Sequence, residues 1–246
     1  MSLPKKDQVS FMCSAPLSVT IAGDDVTSYG RPALMIALNV RVVVSASTLD
    51  YEGDPRIKDI YTQVYQEIYS AQPSSMKVSV EIPLDAGVRA LQSALIVCFV
   101  AYLLSQKLEK NAPISEIQKR AFSLEKKLFQ QYSHAQTINS IQGGLMYYRK
   151  EFEFYKTIMK LPMKLPRGFL TDMTLELPKS TQRDTEFEQE KLQESEKKCK
   201  RLVFAIGQEN LEEWKREILK SGDHTDIHLS EGSDTLEESH SGLIVE

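Results

Sequence analysis

Apolar and polar positions alternate from residue 9 to 22, with Val9, Phe11, Val19 and Ile21 in the apolar set. This period of two, carried by β-branched residues, predicts a strand pair about Ala15-Pro16. Gly23-Asp24-Asp25 and Tyr29-Gly30-Arg31-Pro32 are turn chemistry. Residues 33–47 run with few polar breaks and read as one long, mostly buried strand. Then the period changes. Ile57, Ile60, Tyr61, Val64, Tyr65 and Ile68 recur at three- and four-residue steps and predict a helix. Val78, Val80 and Ile82 return to alternation, so residues 77–82 are expected as a strand.

A helix is predicted from about Ala90 to Leu108, around the 11-residue apolar run Ala94–Leu104. A membrane-spanning helix needs about 20 such residues, so this one reads as a core helix. The next helix, Ser115 to Tyr132, has the apolar stripe Ile117, Ala121, Leu124 and Leu128. Ser115 with Gln118 three residues on gives it a capping-box start. Gly143-Gly144 leads into a strand at 145–148, with another near 152–159. Pro162 and Pro166 punctuate a loop, and residues 185–219 are charged and helical with a break near Gly207. Helices and strands interleave without strict alternation, which is an α+β pattern.

Composition narrows the class. The chain has 246 residues, 41% of them hydrophobic and 26% charged, enough for a real core. Cys13, Cys98 and Cys199 are far apart and odd in number, so no disulfide framework is implied. The net charge of -4 is unevenly spread: residues 221–246 hold seven acids and no Lys or Arg, which leaves +3 on residues 1–220. The last 26 residues are therefore expected as an acidic, disordered tail. The remainder has no basic excess, so no nucleic-acid partner is expected. MSLPKKDQVS is followed by no apolar stretch, so it is not read as a secretory signal. A soluble, cytoplasmic protein with no membrane partner is the expectation.

Three blocks in order carry a family resemblance: Ser14-Ala-Pro16 with Ile21-Ala-Gly23-Asp24-Asp25 and Tyr29-Gly30-Arg31-Pro32-Ala33; Ile82-Pro83-Leu84-Asp85-Ala86-Gly87 running into a helix; and Ala121-Phe122-Ser123-Leu124-Glu125, followed by Ser133 and Gly143-Gly144. Over roughly residues 9–215 the chain resembles the GHMP small-molecule kinase family, its mevalonate kinase branch most of all. The resemblance implies an extension at 1–8, a ribosomal-protein-S5-like N-terminal domain at 9–160, and an incomplete ferredoxin-like C-terminal domain at 161–220. The family's late Gly-rich motif has no counterpart, so the resemblance is to a C-terminally truncated, degenerate member. Family chemistry uses a Gly-rich loop at a helix N-terminus for phosphate, Ser and Glu for magnesium, an Asp for the acceptor hydroxyl and a Lys for developing charge.

Residue by residue, the resemblance implies loss. The family's Pro-x-Gly-x-Gly-Leu-Gly-Ser-Ser-Ala loop falls on Pro83, Asp85, Ala86, Gly87, Arg89, Ala90 and Leu91, with one of three glycines kept. Arg89 puts a long side chain where backbone should approach phosphate. Asp85 adds negative charge, and neither Ala90 nor Leu91 can bind magnesium. The family Lys falls on Ser18, and the family Asp falls on Gln136, an amide that cannot act as a general base. Asp24, Asp25, Ser133 and Thr181 fall at the substrate cleft, and Glu125 matches the magnesium Glu. Losing a general acid or base alone costs about 10²–10⁴ in rate.

The plainer readings stand beside these. Glu125, flanked by Lys126 and Lys127, is expected as a solvated helix acid, and His134 as a surface loop residue. Cys98 is expected in the core, and His224 and His228 as tail residues rather than metal ligands. The segment Ser241–Glu246 is a candidate strand for a partner's sheet edge. The first functional expectation is a mevalonate-kinase-like pseudoenzyme, a binding or regulatory module with a protein partner or a homo- or heterodimer with a GHMP kinase. No resident cofactor is expected for it. The alternative is an ATP- and magnesium-dependent kinase of mevalonate or a related small alcohol, in the isoprenoid pathway, with a site rebuilt on Glu125 and Arg89.

Overall fold

The computed structural model describes residues 10–82, 88–129, 134–150, 156–161, 165, 169, 173–175, 189–219, 227–229 and 237–246. Strand β1 (Met12–Ala22) and strand β2 (Pro32–Ala46) form the antiparallel centre of the sheet. They are joined by a 3₁₀ turn, Asp24–Tyr29, between Gly23 and Gly30, both at positive φ. A Cβ on Gly23 would lie 2.2 Å from the Pro32 carbonyl and 3.1 Å from Cys199 Sγ, so the turn is packed tightly against later chain. The alternation about Ala15-Pro16 is one strand of 11 residues and not a pair. Its register shifts between Pro16 and Leu17, where Leu17 faces Leu38 and Pro16 faces Arg41. Asn39 and Val40 bulge out of β2 there. Proline is tolerated at such a bulge because no ladder donor is required.

Helix α1 (Pro55–Tyr69) covers the predicted positions Ile57 to Ile68, with Asp54 accepting from the Arg56 amide at 2.8 Å and Pro55 in the first turn. Strand β3 (Val78–Glu81) pairs with the end of β2. Helix α2 (Val88–Leu108) contains the apolar run, and Ala94 through Leu104 are all buried. By length and composition residues 91–108 could cross a membrane, yet 72% of that window is buried inside the fold. Helix α3 (Ile114–Leu128) begins after Pro113, with no side-chain cap, so Ser115 lies inside the helix and makes no capping box.

A short helix that the pattern did not predict, α4 (Ala135–Gln142), precedes strand β4 (Leu145–Lys150) and strand β5 (Lys156–Lys160). Strand β6 (Met173–Leu175), helix α5 (Gln189–Gly207), helix α6 (Leu211–Leu219), strand β7 (Ile227–Leu229) and strand β8 (Ile244–Val245) complete the order. The main sheet runs β5-β4-β2-β1-β8, with β3 also on β2, while β6 and β7 pair separately. Ala33, Met35, Met146 and Tyr148 pack with Ala135 and Ile138 of α4. Cys199, Leu202, Trp214 and Ile218 from α5 and α6 join the same continuous core as α2. Trp214 Nε1 donates to the Phe169 carbonyl at 2.9 Å. Arg31 ties the β1–β2 turn to Glu196 of α5 at 2.7 Å.

Within the expected disordered tail, residues 237–246 are ordered on the sheet, while residues 221–226 and 230–236 lie outside the described residues. Cys13 faces Val245 and Ser14 faces Ile244. Met12 and Glu246 exchange two backbone hydrogen bonds, each 2.9 Å. The bulge at Asn39 frees its amide, which donates to the Glu237 carbonyl at 2.7 Å. The Ser239 amide donates to Ala37, the Gly144 amide to Ser239 and the Leu243 amide to Ile141. The acidic composition is offset here by backbone pairing, a term that charge content does not report.

Candidate functional site

The expected phosphate loop sits between β3 and α2. Pro83, Asp85, Ala86 and Gly87 lie outside the described residues, as do Ser133 and Thr181. Arg89 and Ala90 are in the first turn of α2, and Asp24 and Asp25 open the 3₁₀ turn. Leu91 is placed differently from a loop residue: it is fully buried in the main core. An apolar side chain at that position contributes packing to the core.

Glu125 lies on the inner face of α3 and is 6% exposed, not solvated as its lysine neighbours suggested. A sequence signal was available, because Glu125 stands four residues after Ala121 and eight after Ile117, in phase with the buried stripe. Its carboxylate is held at the start of α4. The His134 backbone amide donates to Oε1 at 3.2 Å, and the Thr137 hydroxyl donates to Oε2 at 2.9 Å. His134 Nδ1 stands 2.9 Å from the same Oε2. An ionised carboxylate only accepts, so Nδ1 carries the proton in this pair. His134 is buried, not a surface loop residue. It has φ 62°, caps α4 and stacks on Phe122 with centroids 4.2 Å apart. Burial, with Glu125's charge as the smaller cause, pushes the Tyr148 hydroxyl above its ordinary pKa.

At the other family positions the polar groups are also committed. Ser18 Oγ donates to Asn139 Oδ1 of α4 at 2.8 Å, and Asn139 Nδ2 donates to the Gly144 carbonyl at 2.9 Å. Ser18 is buried, so this ladder crosses the core between β1 and the end of α4. Gln136 lies half-buried in the first turn of α4. The structure thus brings Ser18, Glu125 and Gln136 to one helix, through α4 residues that sequence reasoning did not single out: Thr137 and Asn139.

Glu125 already receives three donors, which leaves little acceptor capacity for a hard cation. Among the described residues no group of three His, Cys, Asp or Glu side chains could hold a metal ion. All three cysteines are buried, Cys98 in the core as expected. Burial pushes the Cys13 and Cys199 thiols up to about 12, and Cys98 also upward, so none is a thiolate near neutral pH. A hollow of about 410 Å³ on α5 and α6, lined by Lys200, Arg201, Phe204 and Glu213 among others, includes none of the expected site residues.

No protein-family profile matches the sequence, and no curated protein matches it. Solved structures do match. A D-glycero-D-manno-heptose 1-phosphate kinase from Bacteriodes thetaiotaomicron is 14% identical with a TM-score of 0.69, over 96% of this chain and 98% of that one. The mevalonate kinase of Methanococcus jannaschii is 12% identical with a TM-score of 0.60, over 88% and 80%. The L. major mevalonate kinase in complex with R-mevalonate is 15% identical with a TM-score of 0.60, over 89% and 76%. At these identities the likeness concerns architecture: the chain has the fold of GHMP-type sugar and mevalonate kinases.

Proposed function

We propose that this chain is a noncatalytic relative of the small-molecule kinases that works as a binding or regulatory module, partnered by another protein or by a kinase of the same fold. The carrying observation is the state of Glu125: the one acid matching the family's magnesium ligand already takes three hydrogen bonds from His134 and Thr137 and serves as the N-terminal anchor of α4. Ser18, at the family Lys position, is buried and bonds Asn139. Among the described residues, the groups at the family's magnesium and Lys positions therefore do not fit magnesium. Removing one oxyanion-type donor costs about 10²–10³ in rate, and several family groups are replaced together here.

The test is thermal unfolding with ATP and magnesium, beside an active mevalonate kinase. A ligand at 100 times its Kd stabilises by about 2.7 kcal/mol. The expected result is no shift at millimolar nucleotide. A second reading, an active kinase of mevalonate or another small alcohol, is favoured by the nearly full-length likeness to a heptose kinase. A magnesium-dependent shift, with turnover lost in Glu125→Ala, would replace the first reading by this one.

A further inference from the structure

The segment 237–246 is seated in a groove built for it. Arg41, opposite Pro16 and next to the β2 bulge, reaches across the groove. Its Nε donates to Ser14 Oγ at 2.5 Å and its Nη2 to the carbonyls of Ser14 at 2.8 Å and Gly242 at 2.7 Å. Its Nη1 donates to Ser239 Oγ at 3.2 Å and to the Ser241 carbonyl at 3.2 Å. Opposite, the segment passes the end of α4 so closely that a Cβ on Gly242 would lie 1.9 Å from the Ile141 carbonyl. Only glycine fits there. Glu238 Oε2 accepts from the Leu165 amide at 2.8 Å, and Asn111 Nδ2 donates to the Val245 carbonyl at 3.2 Å. A guanidinium fork, a glycine gate and a backbone ladder together read a particular extended peptide.

We propose that this groove, between the β1 edge and the end of α4, is the docking site for the C-terminal segment of a second copy of the chain, giving a strand-exchanged dimer. The Arg41 bonds to Ser239, Ser241 and Gly242, the Leu165–Glu238 and Asn111–Val245 bonds and the close pass of Gly242 are all made between body and segment, so they survive when the segment comes from another molecule. Reciprocal exchange closes with twofold symmetry and leaves no groove empty. Charge favours the encounter, since the seven acids of 221–246 meet a body of net +3. The strand itself is short, two residues with Ile244 still 37% exposed, so it holds on by a small surface and can leave.

Cross-linking tests this with full-length chains. Met12 and Glu246 face each other in a hydrogen-bonded antiparallel pair, a position where Cα atoms stand about 5.5 Å apart, within disulfide range. Both residues are exposed, whereas the three native cysteines are buried. Under mild oxidation the double variant Met12→Cys/Glu246→Cys is expected to close a disulfide. An equimolar mixture of Met12→Cys chains and Glu246→Cys chains is expected to give a disulfide-linked heterodimer that increases with concentration. Adding Gly242→Ala to the Glu246→Cys chain should cut the heterodimer about tenfold, the equivalent of about 1.4 kcal/mol of lost docking. Three results overturn the proposal. The double variant closes but the mixture gives no heterodimer, so the segment is a fixed strap of its own chain. The heterodimer ignores Gly242→Ala, so it arises by collision. The double variant fails to close, so the groove does not hold the segment.

Discussion

The two ends of α4 are held by different chemistry. At its start, a buried carboxylate on α3 gathers the His134 amide, the His134 ring and the Thr137 hydroxyl. At its finish, the holding groups are mostly backbone: Leu243 donates to Ile141, and Gly144 donates to Ser239. The first end is sealed by side chains inside the core and belongs to the fold. The second is sealed by a segment on the sheet edge, which brings its own hydrogen bonds and can take them away. The difference separates an end of α4 that is built into the core from an end that is held by a separable part of the chain.

The largest expected effect breaks the first end. Glu125→Ala leaves three buried donors without their acceptor and should cost about 3–5 kcal/mol of unfolding free energy, measured by denaturant titration. If the loss is under about 1 kcal/mol, in the range of an exposed pair, the carboxylate is not the anchor described here. Next comes Ser18→Ala, which strands Asn139 Oδ1 inside the core and should cost about 1–3 kcal/mol by the same measurement. Gly242→Ala should act locally. Hydrogen exchange should speed up at the Ser239, Leu243 and Gly144 amides, while protection at the buried positions of α2 stays unchanged. A global loss as large as that of Glu125→Ala would erase the contrast between the two ends. The smallest effect is expected for Arg41→Lys, which keeps the charge but loses the fork. Its tail amides should exchange modestly faster, at a cost of about 0.5–1.5 kcal/mol.

Much of this architecture is legible in the chain because burial and periodicity agree. β2, α1 and α2 stand out, since Val42, Val64 and Leu95 are apolar, in phase and fully buried. α4 does not stand out. Its apolar positions, Ala135, Ile138 and Ile141, are few, and its start is stabilised by a residue on another helix. Local pattern carries no record of such a cap. The same applies to Glu125, whose identity argued for water while its phase argued for the core. His134 gave no signal at all, because a left-handed His at a helix start is set by the groups around it. The segment at 241–246 was recognisable as strand-forming, but not as a strand for its own sheet. Pairing between residues so distant in the chain leaves no short-range trace.

That pairing sets a timetable. The β1–β2 turn joins Ala22 to Leu34, a contact the chain can find early, whereas Met12 meets Glu246 at the far end of the sequence. Closing so long a loop is entropically unfavourable and brings little reward until the groove already exists. The edge strand should therefore arrive last in folding and leave first in unfolding. For a time the first three residues of β1 present their outer hydrogen-bonding groups to any extended peptide nearby. Newly made copies, crowded close together, pass through that interval side by side.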